Sequence, residues 1–514
     1  MAHPDWATKF KTKGTELRFL NGRYYLYRIT SKWDKEQKKT RKITLEMIGR
    51  ITEEQGLIPK GQRTRKSKKI ENSSIISENI TTKEYGASHF LTTISDDIIK
   101  NLQSVFPEKW KEIFTLSVNR LLHQSPLKNM EFYYQESYLS ESFKEINLSK
   151  NILTSLMKDI GTDRNRISSV LKKFIVGHEH IVFDTTHAFS NSNNMTLNQI
   201  GYNSKKEFEP QVNLLYMYST DQQTPVYYRN IPGNIHGIKA LKLTISEAGL
   251  KNAIAIGDKG FASYENIQEF QNSDLDFVLP LKRNNKNVNY QRLEARDTRK
   301  AFDGWFLFQN RPIFYYSYMD DEENKEKMDI TENEVNIKNK EDAENTRKKL
   351  KYIVFCDPKL RTEEEASYLR CLHTKHEGYT QEGFEKKQFV FGTLPIVTNL
   401  TNVEAEKVYE KYKSRMQIES VFDVYKNLLE ADRSYMQSDE SFEAWVFINH
   451  IALLMYYRIL NLLKKHELLN STSPQELLLK LSRVNKIQIN EKWVTAEINS
   501  KSAALFKKLN ITVT

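Results

Sequence analysis

At 514 residues the chain is long enough for two to four domains around a substantial buried core. Hydrophobic residues at 39% and charged residues at 28% are the proportions of a soluble globular protein, and only two cysteines, Cys356 and Cys371, exclude a disulfide framework and a Cys-based zinc site; a reducing, cytoplasmic setting fits. The net charge of +11 is concentrated: residues 1–70 hold 19 Lys and Arg against 7 Asp and Glu, which leaves the remaining 444 residues at −1 and points to a polyanionic partner, nucleic acid foremost.

The N-terminal stretch MAHPDWATKFKTKG has no apolar core of the secretory type. A small three-stranded antiparallel sheet is predicted over residues 14–50. Thr15–Leu20 and Arg23–Thr30 flank Asn21-Gly22, a strong hairpin signal, and Lys42–Gly49 alternates as a third strand. Arg18, Arg23, Arg28 and Lys42 sit among Tyr24, Tyr25 and Tyr27, so the sheet is expected to lie on DNA with its cations on phosphates. The run GLIPKGQRTRKSKK then reads as a cationic linker, closing a DNA-binding segment over 1–70. Residues 71–87 read as polar and flexible. Apolar periodicity predicts helices over 93–176, so 71–177 is expected to be a linker and a helical domain.

The pattern changes at His180. His180–Phe183 is an apolar strand ending at Asp184; Gln211–Ser219 and Pro225–Asn230 are strands about the turn TDQQ; Ile238–Ala248 is helical. Ala253–Ile256 is a further apolar strand running into Gly257-Asp258-Lys259-Gly260-Phe261, followed by a helix over Tyr264–Gln271 and a strand over Asp276–Pro280. Three antiparallel strands, a helix, a strand, a helix and a strand is the order of an RNase H-like α/β core, and an aspartate closes two of its strands. A carboxylate in such a place often only caps a turn. Between Asn284 and Lys387 aromatic hairpin-like runs alternate with charged low-complexity sequence, and Trp305 is the only tryptophan there.

Tyr412–Lys426, YKSRMQIESVFDVYK, is predicted to be one helix. At about 100° per residue, Tyr412, Arg415, Glu419 and Lys426 fall within about 60° of each other, beside an apolar stripe of Ile418, Phe422, Tyr425 and Leu429 that can dock on a sheet. The apolar run Trp445–Leu463 is broken by Asn449, His450, Arg458 and Asn461 and reads as a buried helix rather than a membrane span. Helices over 440–469 and 473–482 are expected to brace the Glu419 helix. His180, His187, His236 and His450 lack the spacing of a zinc site, and His187 alone is near the chemistry.

The spacing Y-x2-R-x3-E-x6-K, together with FDTTHAFS, GYNSKKEFEPQVNLL, IPGNIHGIKAL, IGDKGFAS and VTNL, resembles the insertion-sequence DDE transposases of the Y-R-E-K branch over about residues 178–463. The resemblance implies an RNase H-like core over 178–283 and 388–470, a β-rich insertion over 284–387 and a C-terminal helical region over 471–514. It implies that Asp184, Asp258 and Glu419 are catalytic and hold two Mg2+ ions, with Mn2+ as a substitute. By chemistry and resemblance together, Tyr412, Arg415 and Lys426 grip phosphates of the transposon end. Trp305 is expected to be a buried core residue, with stacking on a flipped base, worth about 1–3 kcal/mol, as the alternative. The expected activity is cleavage at element ends and transfer of the freed 3′-OH to target DNA, often through a hairpin in this branch, by a homodimer acting on double-stranded DNA in a bacterial cytoplasm. A metal-dependent nuclease without strand transfer and a transposase-derived DNA-binding regulator are the alternatives; a tyrosine recombinase fails for want of an Arg/His cluster upstream of a late Tyr.

Overall fold

The computed structural model describes residues 3–34, 39–60, 80–177, 180–201, 208–235, 237–294, 301–319, 349–489 and 491–513. The chain forms two compact units, residues 1–78 and 79–514. Most of the cationic linker and the charged low-complexity run after Met319 lie outside the described residues, as do His236 and part of GYNSKKEF.

The first unit is an antiparallel sheet, and it has four strands rather than the expected three: β1 (Thr15–Leu20), β2 (Arg23–Asp34), β3 (Lys39–Thr52) and β4 (Gly56–Pro59). The Asn21-Gly22 turn is made as its composition dictates, both residues at positive φ. The fourth strand is the GLIP segment that reads as linker. It is too short to announce itself by alternation, and Gly49 faces the Ile58 carbonyl so closely that a Cβ would come within 2.2 Å. A short helix, Asp5–Thr8, covers one face, where Ala7, Leu17, Leu26 and Ile51 form a small core.

The second unit begins with β5 (Thr81–Glu84), where flexible chain was expected, and a helix over Gly86–Ile94. Six further α-helices among the described residues fill Asp96–Leu171. Then comes a large sheet. Its centre is β9 (Thr224–Pro232), β8 (Pro210–Ser219), β6 (His180–Ser190), β10 (Ile254–Ile256) and β11 (Asp276–Pro280), side by side in that order. The β6–β8 and β8–β9 pairs are antiparallel, and β10 is parallel to both β6 and β11. This is the RNase H-like arrangement. A two-residue strand, β7 (Gln199–Ile200), pairs with the end of β8.

β6 is longer than its apolar start suggests. It continues past Asp184 to Ser190, so Asp184 lies within the strand and not at its end. The reason is pairing: the polar stretch Asp-Thr-Thr-His stays in register with Asn213–Tyr216 on β8, and Thr186 and His187 are buried there. The aromatic runs do not fold apart from the core. β12 (Gly304–Phe308), β13 (Arg311–Met319), β14 (Lys351–Cys356) and β15 (Thr393–Thr398) continue the same sheet outward from β11. Helices over Pro358–His373 and Gln381–Lys387 join β14 to β15, so this stretch is not purely β.

The helix Asp439–Lys465 is the one described helix long and apolar enough to span a membrane, but 78% of its apolar window is inside the protein. It crosses the helix Lys150–Thr162 at Gly161, where a Cβ would stand 1.7 Å from the Glu440 carbonyl oxygen. Backbone cannot retreat as a flexible side chain can. Gly161→Ala is therefore expected to destabilise the protein by about 1–3 kcal/mol, lowering its thermal midpoint; an unchanged midpoint would contradict this crossing. The C-terminal stretch is mixed rather than helical. β16 (Arg433–Ser434) pairs with β6, whereas β17 (Asn485–Ile489) pairs with β5 and with β18 (Lys492–Thr495) before a last helix, Ser500–Lys508.

Candidate active site

The register of β10 on β6 sets Ile256 beside Val182; continued by two residues it brings Asp258 level with Asp184 on a neighbouring strand. Neighbouring strands are about 4.8 Å apart. The chain leaves β10 through Gly257, where a Cβ would meet Phe261 at 2.9 Å, so only glycine lets the backbone pass and deliver Asp258. Asp258 begins a 3-10 turn over Lys259–Phe261, yet its carboxylate makes no capping hydrogen bond. Asp184 accepts one, from the Thr185 N–H at 2.7 Å.

The Glu419 segment is not the single helix that its sequence predicts. A helix over Ala405–Lys413 ends, Ser414 and Arg415 form a tight turn with Arg415 N–H donating to the Tyr412 carbonyl at 3.1 Å, and a second helix runs from Met416 to Asp423. A π-helical turn, Val424–Leu428, follows and carries Lys426, half-buried. Regular 100° steps therefore do not describe where Tyr412 and Lys426 sit relative to Glu419. The apolar stripe docks as expected: Ile418, Tyr425 and Leu429 are buried, with Phe422 and Tyr425 against Tyr216 of β8. From below, Arg120 donates to the Leu429 carbonyl, to Asn449 at 3.1 Å and to the Ser125 carbonyl at 2.9 Å, with its guanidinium over Trp445. The long helix thus braces the Glu419 segment through a buried arginine.

The turn places Arg415 between the acids. Its Nη1 lies 3.5 Å from Asp184 Oδ2 and its Nη2 3.5 Å from Glu419 Oε1. Burial opposes the charge on Arg415, but Asp258, Tyr412, Asp184 and Glu419 together hold its pKa above the ordinary value. The Asp184 carboxyl is pushed up to about 6, chiefly by burial and further by the negative charge of Asp258 and Glu419, against the pull of the Thr185 N–H and Arg415. Burial also raises the Tyr412 hydroxyl. Glu419 is exposed, with 56% of its side chain open to solvent, whereas Asp184 is 21% exposed.

These donors suit a hard divalent cation, since all are carboxylate oxygens and their mutual repulsion is met by one shared positive group. Among the described residues no three His, Cys, Asp or Glu side chains are drawn together into a closed metal-binding group; Arg415 stands among the acids instead. Of the histidines, His187 is buried against Phe189, His180 contacts Asp221 and Lys411 at the start of β6, and His450 is buried between Tyr216 and Tyr228.

Beside Tyr412 and Lys259 opens a cleft of about 250 Å3 that sequence reading did not find. Arg283, Arg311, Lys413 and Asp357 line it, over apolar walls that include Phe355 and Tyr409. Arg311 pairs with Asp357 at 3.0 Å and Arg283 with Glu364. Lys413 lies over the Tyr409 ring, and burial lowers its pKa. No single motif links these residues; they meet because β13 and β15 join the core sheet, and only Lys259, adjacent to Asp258, and the Tyr412-Lys413 pair lay in stretches that carried a signal. Trp305 is not buried: it stands 61% exposed on the edge strand β12, while its neighbour Phe306 faces the core. On the N-terminal sheet three predicted DNA contacts are already paired, Arg18 with Glu16, Arg28 with Glu46 at 3.0 Å, and Lys42 with Glu16 at 3.7 Å; Arg23 is exposed.

No curated protein matches the chain. A solved structure described as a piggyBac transposase synaptic complex with hairpin DNA is similar at 9% identity and a TM-score of 0.38, over 77% of this chain and 79% of that one. Residues 176–455 match the transposase DDE domain, whose members are DNA-cleaving, strand-transferring enzymes that generally use divalent metal ions. That match takes in Asp184, Asp258 and Glu419 and 280 of the 514 residues, and the chain belongs to the DDE transposase family.

Proposed function

We propose that this protein is a cut-and-paste transposase of an insertion sequence, with Asp184, Asp258 and Glu419 as its catalytic carboxylates. The observation that supports the reading is that Arg415 lies 3.5 Å from both Asp184, on a strand, and Glu419, on a helix, and also feels the charge of Asp258 in the turn after β10. Bound at these oxygens, two divalent ions, Mg2+ in this reading, would neutralise the charge that builds on the phosphorus and leaving oxygens during in-line displacement. The chain's own residues bind and orient. Arg415, once its acids are otherwise neutralised, presents a planar fork to a phosphate; Tyr412 donates its hydroxyl, and Lys426 adds a point charge. The basic cleft beside Lys259 takes the strand that leads away from the scissile bond, and Trp305 offers a free aromatic face for an unstacked base. Two ends must be brought together for joining, so the acting species is a homodimer.

The test uses the DNA that flanks the protein's own coding sequence. Incubated with the full chain, Mg2+ and a target plasmid, these duplexes are expected to be nicked at the element end and joined to the plasmid through their 3′-OH. Metal-dependent cutting without joined product would favour a nuclease, and binding without cutting would leave a regulator.

A further inference from the structure

The four-stranded sheet is unequal in length. β1 lies beside β2 only as far as Arg28, and β4 lies beside β3 only over Gly49–Thr52. Beyond these limits β2 and β3 run on alone, paired from Ile29 with Thr44 to Asp34 with Lys39. Six residue pairs make a free two-stranded ribbon about 20 Å long. Every residue from Thr30 to Trp33 and from Lys39 to Glu46 is exposed, so no core supports it. Isolated two-stranded ribbons are marginal in water, and this one exposes Trp33 and Ile43, at 59% and 37%.

Its charges are also set against its own stability. Lys32 lies directly across from Arg41, on the face shared with Ile43, and neither forms an ion pair with a described side chain. Like charges directly opposite destabilise a ribbon. An anion between them would reverse that cost. Lys42 and Trp33 occupy the other face. Arg18 and Arg28, by contrast, sit on the supported part of the sheet and are spent on Glu16 and Glu46.

We infer that this ribbon is the segment that enters the major groove of duplex DNA, with Lys32 and Arg41 as its phosphate contacts and Trp33 against the groove wall. The inference rests on the reading of the protein as a DNA-binding transposase and moves the contact from the face of the four-stranded sheet to the part of β2 and β3 that pairs alone. A two-stranded ribbon matches a major groove about 12 Å wide, and the groove's polyanionic rims match a ribbon that carries Lys32, Lys39, Arg41 and Lys42.

The experiment measures affinity of the full chain for a 40-base-pair duplex of arbitrary sequence across a range of NaCl concentrations (about 40 base pairs exceeds a single site). Removing two phosphate contacts is expected to reduce the slope of log affinity against log salt by about 1.8 in Lys32→Ser/Arg41→Ser. The same charge change on the last helix, Lys507→Ser/Lys508→Ser, is expected to leave the slope unaltered. Because both ribbon positions are exposed and their mutual repulsion is removed with them, the melting temperature should hold or rise slightly. Methylation of guanine N7, which lies in the major groove, should be blocked by the wild type. An unaltered slope in the ribbon variant with a wild type that binds would overturn the inference alone. No binding by the wild type would overturn the DNA-binding reading as well. Release of a dimer to monomers by Trp33→Ser, without a change in slope, would assign the ribbon to a second copy of the chain and overturn the groove contact.

Discussion

Asp184→Asn, Asp258→Asn and Glu419→Gln are each expected to reduce metal-dependent cleavage of element-end DNA by more than about 100-fold, the upper range for losing even a group that only supports a metal ligand. Each change keeps the side chain's shape and removes its negative charge, so folding and DNA affinity provide the controls. DNA affinity should hold or rise slightly, because a negative charge facing the phosphodiester has gone. The three variants should behave alike, since residues that act as one unit lose function as one unit. A double variant should be no worse than the worst single. Cleavage that survives Glu419→Gln would remove the exposed glutamate from the site and leave a two-carboxylate arrangement centred on β6 and β10. The prediction separates function from structure, because the Glu419 side chain is 56% exposed, whereas Asp184 is set into the sheet.

The two aspartates stand out in the sequence because of how strands announce themselves. A run such as IVF or AIAI, apolar on both faces, marks a central strand of a covered sheet, and a carboxylate at its boundary is conspicuous. That logic gave the end of β10 just before Asp258 and misjudged Asp184, whose strand goes on through Thr185, Thr186 and His187 because β8 pairs with them. Pairing is a tertiary property, and no local pattern carries it. The Glu419 segment illustrates the same limit. Its apolar stripe was legible because burial enforces periodicity, but the turn at Ser414-Arg415 is not marked by Gly or Pro, and it is this turn that points Arg415 at two acids on different elements. Trp305 was misread for a related reason: a single tryptophan in an aromatic hairpin is indistinguishable from its neighbours until the edge of the sheet is known, and β12 is that edge. The basic cleft brings Lys259, Arg283, Arg311 and Lys413 together from four separate segments, and no single sequence pattern joins them.

In metal-free protein Asp184→Asn is expected to be stabilising. The folded pKa of Asp184 is about 6, above the ordinary aspartate value of about 3.9, so between these the folded state holds a proton that the unfolded chain has released. Stability therefore falls as pH rises from about 4 to 6, and the whole deficit is present above pH 6. At 1.36 kcal/mol per unit it amounts to about 3 kcal/mol at most. Asparagine cannot ionise and escapes the cost, although its loss of attraction to Arg415 takes back part of the gain. Thermal midpoints measured in EDTA should thus coincide for wild type and Asp184→Asn near pH 4 and separate above pH 6, the variant being higher. Mg2+ should then raise the wild-type midpoint toward that of the variant and leave the variant nearly unmoved, because only a ligand that binds the folded carboxylates can stabilise through them. Equal midpoints at pH 7.5 would mean that Arg415 already compensates the buried charge in full, and the electrostatic tension assigned to this site would be absent.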